Sequence, residues 1–323
     1  MSCRPPSITR MLINAPQMKY RETCLTKMNK RIKDRRRMHS NNTMFALLVF
    51  CTSGFVLPTS SWESWELVWE DEFEKDTLQS EYWNIADNFT HGNRELQLYV
   101  KEQVSVRNGQ LILTTSTVDK ATGPDGKKIY HFTSGWVDTK FKVNQTFGKF
   151  IVRAKLPNPD AYGIWPAIWM MPSPNKWNCW PIGGEIDIME ATGGEVNNTI
   201  YGTYHWGKNS SDTEVEVRTK CMKGCGCDLW DGHNGKFQPL QSHNFSTGYN
   251  DFSVMWNESG LSWFVNDVLY HERSLENVPF IPTEPFYMIL NTAIDWWNKK
   301  SGTPLDAYPV EFAIDFVRFY KKI

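Results

Sequence analysis

The segment GGEIDIMEATGG places three carboxylates, Glu185, Asp187 and Glu190, within six residues, with no Lys or Arg among them. Paired glycines on both sides and Ile at 186 and 188 favour a strand over a helix. On a strand Glu185 and Asp187 share a face, whereas Glu190, five residues from Glu185, falls on the other. One extra residue near Ile188-Met189, a β-bulge, brings all three acids to one face and turns the apolar residues to the core. Acids crowded this way cost stability unless their charge is used. Retaining glycoside hydrolysis uses it: one carboxylate attacks while a second carboxyl about 5–5.5 Å away serves as general acid and base. Glu185 and Glu190 are the expected pair. Asp187, the shorter side chain between them, is expected to orient the nucleophile and to help keep the acid protonated, because neighbouring carboxylates push one pKa upward. The competing readings are an exposed acidic strand or a calcium site made of oxygen ligands.

Such a strand needs partners, and the rest of the chain supplies strands rather than helices. Short alternating runs bounded by Gly, Pro, Asn and Asp occur at 111–116, 148–156, 199–206, 251–257 and 312–320. The runs 261–265 and 268–271 flank Asn266-Asp267, a two-residue hairpin signal. No helix-period segment follows residue 60 and no internal repeat is present, so the expectation is an all-β sandwich or barrel occupying 61–323 as one domain. Residues 208–250 break the pattern. They are polar, Gly-rich and Cys-rich, and are expected to form a long surface insertion.

The net charge of −1 conceals an asymmetry: residues 1–43 hold 11 of the 35 Lys and Arg and two acids, which leaves 24 basic and 34 acidic residues for the remainder. That acidic balance argues against a nucleic-acid partner. Residues 44–60 contain an apolar run too short to span a bilayer, preceded by basic residues, and resemble a secretory signal. A membrane association is expected only if this segment is retained. Six N-x-[ST] sequons, at Asn88, Asn144, Asn197, Asn209, Asn244 and Asn257, agree with an extracellular glycoprotein. Four cysteines follow the signal-like segment: Cys179, Cys221, Cys225 and Cys227. Two disulfides are expected, Cys179 with Cys225 or Cys227 and Cys221 with the other. Zinc held by these cysteines and His233 is the alternative.

GEIDIME resembles the active-site signature of glycoside hydrolase family 16 in its bulged, laminarinase-like form. NRELQLYV (93–100), SGWVDTKFKVNQTFGKFIVRAKLP (134–157), GIWPAIWMMP (163–172), YGTYHWG (201–207) and FAIDFVRFY (312–320) are similar, in order, to blocks of endo-1,3-β-glucanases. The resemblance implies a β-jelly-roll sandwich with a concave substrate cleft, Glu185 as nucleophile, Glu190 as acid and base, and Asp187 as helper. It also implies hydrolysis of internal 1,3-β-glucosidic bonds of laminarin-type glucans, with no required cofactor. Two alternatives stay open: a β-1,3-glucan recognition protein, although such family members lack the catalytic acids, and a transglycosylase. Trp165 and Trp169 are expected to offer indole faces to sugars. Asn93 and Glu95, on one side of an alternating segment, are expected to meet sugar hydroxyls. His205 is expected near the leaving group and Arg153 in the cleft, and Trp297 is expected to reshape one end of it. A structural calcium ion on the opposite face is implied, with Asp315, the Gly109 carbonyl and Glu72 as ligands.

Overall fold

The computed structural model describes residues 64–161, 163–173, 180–181, 183–191, 199–206, 244–278, 280–295 and 305–323, together with the backbone of 207–208 and 229–237. The amino-terminal extension, the signal-like segment, Cys179, Cys221, Cys225, Cys227 and Trp297 lie outside these residues. Residues 61–323 form a compact unit of their own.

Seventeen strands are described: β1 Trp65–Asp71, β2 Asn84–Ile85, β3 Gln97–Tyr99, β4 Val104–Arg107, β5 Gln110–Thr122, β6 Ile129–Ser134, β7 Trp136–Asp138, β8 Gly148–Lys155, β9 Ile164–Pro172, β10 Glu185–Glu190, β11 Ile200–Lys208, β12 Leu229–Phe237, β13 Asn250–Asn257, β14 Gly260–Val265, β15 Val268–Ser274, β16 Phe286–Ile294 and β17 Val310–Lys322. They build an all-β jelly-roll sandwich. One sheet of ten strands runs β15-β14-β13-β8-β17-β5-β6-β3, with β1 beside β17 and β4 beside β5. The other runs β12-β11-β10-β9-β16-β7-β2.

Alternation decides what each sheet buries. In β8, Phe150, Val152 and Ala154 are fully buried while Lys149, Ile151, Arg153 and Lys155 are not. In β9, Ile164, Ile168 and Met170 enter the main core, and Trp165, Ala167, Trp169 and Met171 take the opposite face. Central strand β16 is buried on both faces. Met288, Leu290 and Ile294 belong to the core, whereas Tyr287 and Ile289 join Trp136 and Trp169 in a second apolar cluster. Asn266 and Asp267 both take left-handed φ, 49° and 61°, the geometry a two-residue hairpin requires, and β14 pairs with β15 as the sequence implies.

One expectation changes. Part of the segment read as a surface insertion, 229–237, is a strand that extends the smaller sheet by pairing along all of β11. Its polar and glycine-rich composition hides it. An open sheet edge offers backbone N–H and C=O groups to a neighbour whatever the side chains are.

The two sheets meet tightly at Gly202 of β11. A Cβ there would lie 2.5 Å from Trp263 Cδ1 and 2.6 Å from the Tyr270 hydroxyl. Gly202→Ala is therefore expected to destabilise by about 1–3 kcal/mol through overpacking. Urea unfolding would show this as a lower midpoint with an unchanged slope.

Candidate active site

Strand β10 carries the bulge. Against β9, Ile186 pairs with Met170 and Asp187 with Trp169, but Met189 then pairs with Ile168 and Glu190 with Ala167, so Ile188 is the extra residue. Against β11 the register slips at the same place, between Asp187 and Glu190. The result is that Ile186, Ile188 and Met189 all pack into the core, while the three acids turn to the other face. Gly184, at φ 84°, makes the turn into the strand, a conformation that L side chains rarely adopt. From the other sheet, Trp263 Nε1–H donates to the Asp187 carbonyl at 2.8 Å and holds the bulge from beneath.

Glu185 and Glu190 open onto a cleft of about 740 Å³ lined by His91, Asn93, Arg94, Glu95, Trp136, Trp165, Ala167, Trp169, Met171, Trp180, His205, Asn291 and Ala293. Each glutamate accepts an indole N–H: Glu190 from Trp165 at 2.9 Å, and Glu185 from Trp180. Asp187 is 1% exposed and sits beneath, with His205 Nε2 2.9 Å from its Oδ2. Single ligating atoms of Glu185, Asp187 and His205 all lie within 4.8 Å of one another.

Burial is the main force on all three acids and pushes each pKa up, most strongly at Glu185 and Asp187. Asp187 adds to the rise at Glu185, and Glu190 to the rise at Asp187. His205 and the Trp165 hydrogen bond oppose it at Glu190. All three acids are thus biased toward their protonated forms, more strongly at Glu185 and Asp187 than at Glu190. The stability consequence has a definite sign. A carboxyl with a raised folded pKa binds more protons folded than unfolded, so stability falls as pH rises from the unfolded pKa through the folded one. Glu185→Gln removes that loss. Its melting temperature is expected to match the parent's at pH 4 and to exceed it increasingly toward neutral pH.

The cleft gathers Asn93, Glu95, Trp165, Trp169 and His205 around the two glutamates. Their engagements refine the expected roles. Trp165 directs its indole N–H at Glu190. Trp169 is only 8% exposed, donates to Asn291 Oδ1 at 2.7 Å and forms floor rather than platform. Both Glu95 oxygens are taken: His91 Nδ1 lies 3.1 Å from Oε1, while Gln97 Nε2 (2.6 Å) and Tyr99 Oη (3.1 Å) hold Oε2.

Arg153 is a correction. It projects from β8, in the sheet that does not bear the cleft, and pairs with Asp251 at 3.0 Å and Asp315 at 3.2 Å. Alternation correctly gave its outward direction, but on the wrong sheet for substrate. The residues expected to hold calcium have these neighbours. Asp315 faces Arg153, Glu72 accepts Arg318 Nε at 2.7 Å, and Gly109 occupies the left-handed turn between β4 and β5.

Sequence reasoning missed His91, Trp136, Trp180 and Asn291. One signal was available: Glu95, Gln97 and Tyr99 alternate at i, i+2 and i+4, the spacing of a shared strand face.

The result is a two-sheet sandwich with a bulged acidic strand at the floor of an open cleft. Residues 91–313 match the family Glycosyl hydrolases family 16, and the chain belongs to that family. It is 30% identical over 275 residues to a Beta-glucanase of Rhodothermus marinus, covering 80% of this chain and 85% of that protein. It is 29% identical over 282 residues to Glucan endo-1,3-beta-glucosidase A1 of Niallia circulans, spanning 79% of this chain but 38% of that longer protein. Among solved structures, the laminarinase catalytic domain from Thermotoga maritima MSB8 superposes with a TM-score of 0.66 at 31% identity, covering 81% of this chain and all of that one.

Proposed function

We propose that this chain is a secreted, retaining endo-β-glucanase that hydrolyses internal 1,3-β-glucosidic bonds of laminarin-type glucans. The observation that carries the reading is the bulged β10 strand, which turns Glu185, Asp187 and Glu190 to one face and opens both glutamates to one cleft. Glu190 protonates the glycosidic oxygen while Glu185 attacks the anomeric carbon, forming a glycosyl-enzyme and releasing the shortened chain. Water, deprotonated by Glu190, then attacks the same carbon and frees Glu185. Asp187 lies within 4.8 Å of Glu185, orients that side chain from beneath and pushes its pKa up. The steps need no cofactor. Export is supported by the signal-like segment and by sequon asparagines Asn88, Asn144 and Asn257, all exposed.

Product size from soluble laminarin, with lichenan and agarose in parallel, tests the reading. Rapid shortening of laminarin, with the β-anomer appearing first by proton NMR, is the expected result. Tight binding without cleavage would make the protein a glucan-recognition protein instead. Lengthened products on adding oligosaccharide acceptors would make it a transglycosylase.

A further inference from the structure

We infer that His91 is a substrate-contacting residue of this cleft: Glu95 grips its Nδ1 and so presents the opposite ring nitrogen, Nε2, to a hydroxyl of the bound glucan. The inference deepens the glucanase reading and takes its ligand class from it. His91 stands two residues before Asn93 and Arg94, which adopt left-handed φ of 60° and 58°. Its Nδ1 lies 3.1 Å from Glu95 Oε1. Glu95 cannot swing, because Gln97 and Tyr99 hold its second oxygen and the Ile294 backbone N–H fixes Gln97 Oε1 at 2.7 Å. The imidazole packs against Trp136 at 5.4 Å and Trp169 at 5.7 Å between centroids. The ring is thus held between two indoles and at one nitrogen. Nε2 has no protein partner among the described residues, and the side chain, 36% exposed, lines the same cleft as Glu185.

Charge favours donation from Nε2. The groups facing the ring are Glu95 from its own loop and Glu185 from β10, with Arg94, Glu190 and His205 lining the same cleft. Burial lowers the His91 pKa, but the Glu95 contact and Glu185 outweigh it and leave it raised. When protonated, the ring donates from both nitrogens.

The test is laminarihexaose affinity, read by tryptophan fluorescence in a Glu190→Gln background so that no turnover intervenes. His91→Ala is expected to weaken binding about 10-fold, the worth of one charge-assisted hydrogen bond. His91→Gln is expected to restore part of that. With Glu190 intact, His91→Ala is expected to raise KM with little change in kcat, the signature of uniform binding. Affinity with His91 present should fall as pH rises through the His91 pKa, a dependence that His91→Gln removes. An unchanged Kd in His91→Ala overturns the inference. So does a weakened Kd that tracks a lower melting temperature and that Gln does not recover. Binding of laminarihexaose by a wild-type chain that does not cleave it would overturn the hydrolase reading alone and leave the His91 result standing.

Discussion

Glu190→Gln is expected to lower kcat on laminarin about 10²–10⁴-fold, the contribution of a positioned general acid. Glu185→Gln is expected to lower it at least as far. Both variants should fold, since Gln preserves the shape of each side chain and leaves an oxygen for the indole N–H of Trp165 or Trp180. The two losses differ in kind, and an activated substrate separates them. An aryl glucoside whose leaving group departs without protonation does not need Glu190 in the first step, so Glu190→Gln should retain much of the burst of released phenol. Glu185→Gln should release none, because no glycosyl-enzyme forms. Near-normal laminarin turnover in either variant would remove that glutamate from the mechanism. A burst from Glu185→Gln and none from Glu190→Gln would exchange the two roles.

The acidic strand was legible because its parity is self-contradictory. A period of two cannot put Glu185 and Glu190 on one face while Ile186, Ile188 and Met189 stay buried, unless one residue is inserted. The register slip at Ile188 is that insertion. The hairpin at Asn266-Asp267 was legible for a similar local reason, since short polar residues tolerate the left-handed φ that the turn demands. What stayed hidden depended on which sheet a strand joins. The outward face of β8 is plain from alternation, yet only the pairing of β8 with β13 and β17 shows that Arg153 meets Asp251 and Asp315 rather than substrate. Long-range contacts were equally out of reach. Trp169 meets Asn291 across 122 residues of sequence, and Trp263 meets the Asp187 carbonyl across 76. Neither separation has a local pattern to betray it.

The Trp263 contact leads to the second large expected effect. Trp263→Phe removes the indole N–H from the Asp187 carbonyl, a buried bond of 2.8 Å, and leaves the carbonyl beneath the bulge without that donor. Losing one partner of a buried hydrogen bond costs about 1–3 kcal/mol, and the smaller ring adds a packing loss. Catalysis should suffer as well, because the bulge sets the side-chain parity on which the site depends. With Asp187 less firmly held, its side chain, its contact with His205 and its placement beside Glu185 all lose their fixed positions. A displacement on the scale of 1 Å in a catalytic group is enough to cost about 10²-fold in rate. The expected result is therefore a lower melting temperature together with a kcat well below the parent's at temperatures where the variant is fully folded. Gly202→Ala presses on the same indole from β11 and should couple to it. In Trp263→Phe the smaller ring leaves room for the new methyl, so the double variant should be more stable than the sum of the two single losses predicts. Strict additivity would mean that Gly202 and Trp263 act on the fold independently.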